Sequence, residues 1–283
     1  MKKNISNYIT SLALFTVLLC TCLNGYSQDQ KQEFSVSVGG PFSFVKSSSS
    51  GDFLPANGFN AGLRYAYYLN ENISLSLGAE YQVYTGQSKF TTLGGQYSAT
   101  DAEAESFQFR YSAINFREKQ NLSYINVPIA VQFETEGSTR FFIAAGAKVG
   151  FALKSTYESS AENLTTSGYY PQYNVELFNP AFAGFASTND FKSGKQDFDA
   201  KISYSATLET GIKQAVGDKS AVYLGVYVDY GLNNVFDKTG DKNLIQYNPD
   251  LPVQLKHNSV YESGLARDMR LVSFGLKLRF AMH

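Results

Sequence analysis

The 283-residue sequence has no tryptophan, only two cysteines and few charged residues. Both cysteines, Cys20 and Cys22, lie near the N-terminus, so the remainder offers no thiol for a disulfide, a cysteine-based metal site or a cysteine nucleophile. Beyond residue 27 no stretch is long and apolar enough for a transmembrane helix. The 24 Lys and Arg residues nearly balance the 25 Asp and Glu residues, which does not favour a nucleic-acid partner.

The residues that are abundant favour β-structure. The chain holds 20 Tyr, 22 Phe and 23 Gly residues. Aromatic residues are enriched in strands, and a glycine-rich chain with few charges reads as all-β rather than helical.

The N-terminus has the layout of a secretory signal peptide. Lys2 and Lys3 precede an apolar run over residues 12–20, and small residues follow at Gly25 and Ser27. We predict cleavage after Ser27, which gives a signal peptide over 1–27 and one mature domain over 28–283. The apolar run is too short for a spanning anchor. Lipidation at Cys20 or Cys22 is a weaker alternative, because the flanking residues suit it poorly.

Alternating apolar and polar residues predict eight strands. Each candidate meets the roughly 9–11 tilted residues that a membrane-spanning strand needs. The predicted strands cover residues 33–45, 58–69, 73–84, 121–133, 140–154, 201–213, 221–232 and 270–280.

Short and long connections alternate between these strands. The short ones are 70–72, 134–139 and 214–220, and the long ones are 46–57, 85–120, 155–200 and 233–269. Outer-membrane barrels pair short periplasmic turns with long extracellular loops. The spacing therefore predicts an eight-stranded up-and-down antiparallel transmembrane β-barrel with four long extracellular loops, placed in the outer membrane of a Gram-negative bacterium and in contact with its lipid.

The two faces of each strand differ in a way that favours this barrel. In "RLVSFGLKLRF" (270–280) one face carries Val, Phe and Leu, and the other carries Ser, Gly, Lys277 and Arg279. Small residues mixed with a few long polar ones suit a narrow barrel interior, which an eight-stranded barrel fills with its own side chains. We therefore expect the apolar face to contact lipid.

The inward face carries charges of both signs, which should pair inside the barrel. This predicted interior network consists of Arg64, Glu80, Lys148, Glu209, Lys213, Asp229, Lys277 and Arg279. Glu209 and Asp229 are the carboxylates expected near Lys277. Aromatic residues near strand ends, including Tyr68 and Phe142, are expected in the interfacial girdles.

Two local motifs resemble the small outer-membrane β-barrel proteins of Bacteroidota, the group that includes PorT-like proteins. One is "YINVPIAVQF" (124–133), with an apolar–Pro–apolar step, and the other is "YGLNNVF" (230–236) after the seventh strand. Pro128 is expected at a bulge or near a strand end, because proline donates no ladder hydrogen bond. The chain departs from the group by three residues after the terminal aromatic Phe280. The resemblance implies an architecture and no reaction.

The sequence offers weak support for catalysis, a metal or a cofactor, and we predict none of them. His257 and His283 fall at opposite ends of the barrel, so they cannot form a two-histidine metal site. A Ser–His–carboxylate set would have to combine His257 with Ser259 and Glu262 in the last loop.

One long loop is rich in aromatic residues. These residues either pack as a cap over the barrel mouth or form a surface for a protein, a glycan or an apolar ligand. The set consists of Tyr169, Tyr170, Tyr173, Phe178, Phe182, Phe185 and Phe191.

We expect a non-enzymatic barrel with a structural or interaction role through its extracellular loops. One alternative is a narrow channel or transporter for a small or apolar solute, which needs a wider lumen than eight strands normally leave. Another, suggested by the resemblance alone, is an accessory role in secretion or an envelope assembly.

Overall fold

The computed structural model describes residues 31–48, 51–236, 242–250 and 255–283. The predicted signal peptide over 1–27 lies outside the described residues. No described helix is long and apolar enough to cross a membrane.

The described chain is almost entirely β-strand. Its strands are β1 (Gln32–Ser48), β2 (Asp52–Asn57), β3 (Phe59–Tyr68), β4 (Ile73–Thr100), β5 (Ser106–Glu134), β6 (Thr139–Tyr170), β7 (Val175–Phe178), β8 (Ser187–Lys192), β9 (Gln196–Asp197), β10 (Ser203–Ala215), β11 (Ser220–Gly231), β12 (Ile245–Gln246), β13 (Lys256–His257) and β14 (Arg267–Met282). One 3-10 helix, Ala181–Ala183, interrupts them.

Eight long strands close into an antiparallel ring. The ring runs β1–β3–β4–β5–β6–β10–β11–β14, and β14 pairs back with β1. Each of the eight predicted strands overlaps one member of this ring and extends at most two residues beyond either of its ends. Closure leaves no unpaired edge in the lipid, which is the condition for a sheet to span a membrane.

The apolar face of the ring points outward, as expected for a membrane barrel. Leu63, Leu224 and Leu276 are each more than half exposed. The side chains between these outward positions are buried, and among them are Lys148 and Lys277. The inside-out pattern read from "RLVSFGLKLRF" is therefore confirmed, and lipid is the solvent of the outer face.

The long connections are much more regular than loops, which corrects the sequence reading. Residues 85–120 were expected to be loop, yet β4 continues to Thr100 and β5 begins at Ser106. β6 likewise extends to Tyr170. The outer faces of these extensions are not apolar, and strands need an apolar outer face only where they contact lipid. The extensions of β4, β5 and β6 therefore continue the sheet outside the membrane.

Pro128 is not placed as expected. It lies inside β5, six residues before the strand end at Glu134, and the β4–β5 register does not shift there. The residue pairing instead has a gap opposite the proline, between the pairs Leu77–Ile129 and Glu80–Asn126. An interruption of the ladder accommodates the missing N–H without a bulge.

Above the bilayer, the strand extensions and the last connection fold into a cap with its own apolar core. We call this part, formed by the described residues of 85–120, 155–200 and 233–269, the cap. Its most deeply buried side chains include Phe107, Phe109, Phe116, Leu164, Phe185, Leu244, Val260, Tyr261 and Met269. Because the long connections of outer-membrane barrels face outward, the cap is the extracellular end.

A change of strand face makes this core possible. In β5 the buried residues are even-numbered from Phe116 to Glu134, whereas Phe107, Phe109 and Ala113 are buried further out. The change occurs at Asn115, whose φ of 51° is a left-handed conformation that asparagine tolerates better than most residues. The buried faces of β4 and β6 shift at the same level. Without this shift the cap phenylalanines would face solvent.

Candidate functional site

The barrel interior holds a chain of charges that crosses the lumen. Lys148 Nζ lies 2.6 Å from Glu80 Oε1 and 2.8 Å from Asp229 Oδ2. Lys277 Nζ lies 3.1 Å from Glu80 Oε2 and 3.8 Å from Glu209 Oε2. These residues come from five different strands, so the contacts tie opposite walls of the barrel together.

Arginine side chains extend this chain toward the turn end. Arg64 Nη2 lies 3.0 Å from Glu209 Oε2, and Arg279 Nη2 lies 3.5 Å from Glu209 Oε1. Arg279 also donates a hydrogen bond of 2.8 Å to Gln132 Oε1. Its guanidinium carbon lies 3.8 Å from the ring centre of Tyr223, close enough for a cation–π contact.

A second group of polar side chains closes the turn end of the barrel. Lys213 Nζ donates to Glu33 Oε2 at 3.0 Å and to Glu134 Oε2 at 3.1 Å. Tyr68 donates to Glu134 at 2.7 Å, and Tyr223 donates to Glu33 at 2.6 Å. The hydroxyls and the ammonium together bind Glu33 Oε2 and both oxygens of Glu134, whereas Glu33 Oε1 is buried without a hydrogen-bond partner among the described residues.

Glu33 and Glu134 were missing from the predicted network. With them, the five cations of the predicted set face five carboxylates. Strand alternation could have found both residues, because Glu33 shares its face with Ser35 and Glu134 shares its face with Gln132. The predicted girdle position of Tyr68 and Phe142 is wrong for the same reason, since both side chains are buried inside the barrel.

The register explains how Lys277 reaches across the lumen. Its paired residues on the two neighbouring strands are Gly39 and Gly225, which leave space beside the lysine stem. Glu80, rather than Asp229, is its nearest carboxylate, and Asp229 is bound by Lys148. The carboxylate that pairs with Lys277 could not be predicted from the sequence, because the pairing depends on strand register and strand tilt.

The cap contains a buried carboxylate, Glu118, that contacts no cationic side chain among the described residues. Glu118 accepts hydrogen bonds from Ser259 Oγ at 2.7 Å and from the Val260 N–H at 2.9 Å. Gln120 Nε2 donates to it at 3.0 Å and Ser159 Oγ at 3.2 Å. Glu118 thereby attaches the last connection to the strand extensions. Burial raises the pKa of Glu118 to about 7, and the four donors limit the rise.

We expect the last connection to detach more readily as the pH rises. The raised pKa means that the docked cap binds the Glu118 proton more tightly than an exposed glutamate, whose pKa is about 4.3, would. The stabilisation of the docked connection by this proton is complete below pH 4 and is lost as the pH rises from about 4 through 7, a loss of up to about 4 kcal/mol. The protection of residues 257–263 against hydrogen exchange, relative to the unfolded chain at the same pH, measures this effect at pH 5.5 and 8.5. Glu118→Gln should remove the pH dependence, and an unchanged dependence would contradict the assignment.

The candidate catalytic set does not assemble. His257 Nε2 is buried without a hydrogen-bond partner among the described residues, and the ring packs beside Tyr157 and Phe191. Ser259 Oγ donates to Glu118 instead, and Glu262 accepts the Ser259 backbone N–H at 3.2 Å. The contact of nucleophile and base that such chemistry needs is therefore not formed.

The structure divides the aromatic loop residues between two environments. Tyr170, Phe185 and Phe191 are buried in the cap. Tyr173, Phe178 and Phe182 are exposed, with Phe182 80% exposed.

Tyr169 has an intermediate position on the cap surface. Its ring centre lies 4.5 Å from the guanidinium carbon of Arg110, and its hydroxyl donates to Asn174 at 3.0 Å. The seven aromatic residues therefore contribute both to the cap core and to its surface.

Comparison with known proteins agrees with this architecture. Residues 26–237 match the family described as outer membrane protein beta-barrel domain. No curated protein sequence matches the chain significantly.

Among solved structures, the chain is similar to Neisserial surface protein A, with 11% identity, a TM-score of 0.36, and coverage of 88% of this chain and 96% of that one. It is also similar to Ail of Yersinia pestis bound to the heparin analogue sucrose octasulfate, with 12% identity, a TM-score of 0.33, and coverage of 89% and 100%. The N-terminal β-barrel domain of Pseudomonas aeruginosa OprF gives 12% identity, a TM-score of 0.30, and coverage of 90% and 100%. With three quarters of its length matched by the family, the chain belongs to the outer membrane protein beta-barrel domain family.

Proposed function

We propose that this outer-membrane protein is a sealed, non-enzymatic barrel that acts through its extracellular cap. The observation that carries the proposal is the ion network across the lumen. Lys148, Lys277 and Arg279 are each at most 3% exposed, so these side chains are packed against other groups in the lumen. A solute channel would require these side chains to line open space.

The cap supplies the surface for an interaction role. Its core keeps the outer hairpins ordered, and exposed aromatic side chains at Tyr173, Phe178 and Phe182 stand on that ordered base. Aromatic residues are frequent anchors of binding surfaces. A protein or glycan partner at the cap fits this arrangement better than a partner at the turn end, where the connections are short.

The narrower assignments follow from the sequence. A mature domain beginning near Gln28 is supported by the signal-peptide layout of the residues before it, with Lys2 and Lys3, the apolar run over 12–20 and the small residues Gly25 and Ser27. Membership of the PorT-like group of Bacteroidota is supported by the motifs over 124–133 and 230–236. This resemblance favours an accessory role in secretion or an envelope assembly as the second candidate.

Two measurements test the proposal. Reconstitution in planar bilayers should give no stable conductance, because the lumen is filled. A photocrosslinker at Phe178, in cells of the native host, should give a discrete adduct with a partner. The matched control is Leu224, which faces lipid and should give no protein adduct. Stable conductance, or equal labelling at both positions, would contradict the proposal.

A further inference from the structure

An open cavity of about 300 Å³ lies at the outer end of the cap. It is bounded by the β4–β5 hairpin, by the segment that follows β6, by the 3-10 helix and by Tyr247. The cavity is far from the lumen charges along the strands, because Glu80 on β4 pairs with Asn126 on β5 and the two strands meet only at residues 101–105. Neither the ion network nor the Glu118 contact contributes to it.

One side of the cavity is acidic. Asp101, Glu103 and Glu105 line it, and among the described residues no lysine or arginine does. Asp101 is fixed in place, because its Oδ1 accepts the backbone N–H groups of Glu103 at 3.0 Å and of Glu105 at 2.9 Å. The hydroxyl of Tyr170 donates to Asp101 Oδ2 at 2.9 Å. The negative charge is therefore held at the cavity without a neutralising cation in its lining.

The other side of the cavity is aromatic. Tyr170, Tyr173, Phe182 and Tyr247 line it together with small aliphatic residues. Tyr173 donates a hydrogen bond of 2.6 Å to Glu105 Oε1, so the aromatic side and the acidic side are joined. The electron-rich faces of such rings attract cations, and this attraction is strongest for poorly hydrated ammonium groups.

We propose that this cavity binds an organic ammonium ion, which is a cation with an apolar body. The inference rests on the proposed function, since it names a ligand class for the cap. The carboxylates would repel an anion, and a neutral apolar ligand would desolvate them without compensation. The described Asp, Glu and His side chains do not converge in a group of three that could hold a metal ion, which favours the organic cation.

Choline and its neutral isostere 3,3-dimethylbutan-1-ol test the proposal in the detergent-solubilised full protein. Calorimetry or saturation-transfer NMR should show choline binding about fivefold to tenfold more tightly than the alcohol, with an affinity that falls as salt is added. Phosphocholine should bind more weakly than choline, because its phosphate meets the acidic side. Equal affinity for choline and the alcohol would overturn the proposal, and tighter binding of phosphocholine would overturn the assignment to a free ammonium ligand.

Matched variants localise the binding. Glu105→Gln and Phe182→Ala should each weaken choline binding by about threefold or more, because one removes a charge and the other removes a ring. Glu158→Gln removes an exposed carboxylate elsewhere on the cap and should have no effect. Folding of each variant is checked by its heat-dependent gel mobility. If choline fails to bind while Phe178 still crosslinks, this inference is wrong and the proposed function stands.

Discussion

Glu80→Leu should destabilise the folded barrel by about 3–5 kcal/mol. Glu80 is the carboxylate that joins two lysines, with Lys148 at 2.6 Å and Lys277 at 3.1 Å from its two oxygens. Without it, the nearest described carboxylate to Lys277 is Glu209, at 3.8 Å. A buried ammonium that loses its carboxylate partner still bears the full cost of its own desolvation. Removing one partner therefore destabilises the barrel by more than the intact ion pair stabilises it.

Urea unfolding in lipid vesicles measures this loss. Glu80→Gln is the matched control, because it keeps a hydrogen-bond acceptor of the same length and should cost less than Glu80→Leu. The double variant Glu80→Leu with Lys277→Met removes a charge of each sign and should recover part of the loss. If Glu80→Leu unfolded at the wild-type urea concentration, the interior network would have no role in stability.

The barrel could be predicted from the sequence because its signal is local. Lipid selects apolar residues at every second position, so strands such as 270–280 show their orientation without knowledge of their neighbours. The alternation of short and long connections then gives the topology. The same alternation carried to the strand ends gives Glu33, Glu134, Tyr68 and Phe142 as inward residues. It could therefore have placed the first two in the interior network and the last two inside the barrel rather than in a girdle.

The cap could not be predicted in the same way. Outside the bilayer, lipid no longer imposes an apolar outer face, so the strand extensions at 85–100 and 106–120 lack the pattern on which the prediction depended. The shift of buried face at Asn115 also reverses the alternation within one strand. The contacts of Glu118 join residues about 140 positions apart. Such contacts follow from the closed fold and not from any short stretch of sequence.

Leu276→Arg should destabilise the barrel by about 2–4 kcal/mol, because it places a guanidinium in the hydrocarbon core. Leu276 is 61% exposed and lies at the middle of the outward apolar row of β14, between Val272 and Phe280. The penalty for a lipid-facing arginine depends on depth and falls to about 0–1 kcal/mol near the interface. Met282→Arg is therefore the matched control, since it lies on the same face at the end of the same strand and is 42% exposed.

The neighbouring inward position should respond differently. Lys277→Gln keeps a long polar side chain in the lumen, and Glu80 and Glu209 retain Lys148 and Arg64 as partners. Its cost should be about 1–2 kcal/mol, and the variant should still insert. In a barrel with an apolar interior, residue 276 would instead lie in the core. The cost of Leu276→Arg would then not depend on its depth in the bilayer. Equal costs for Leu276→Arg and Met282→Arg in vesicle unfolding would show that the outward row does not lie across the bilayer.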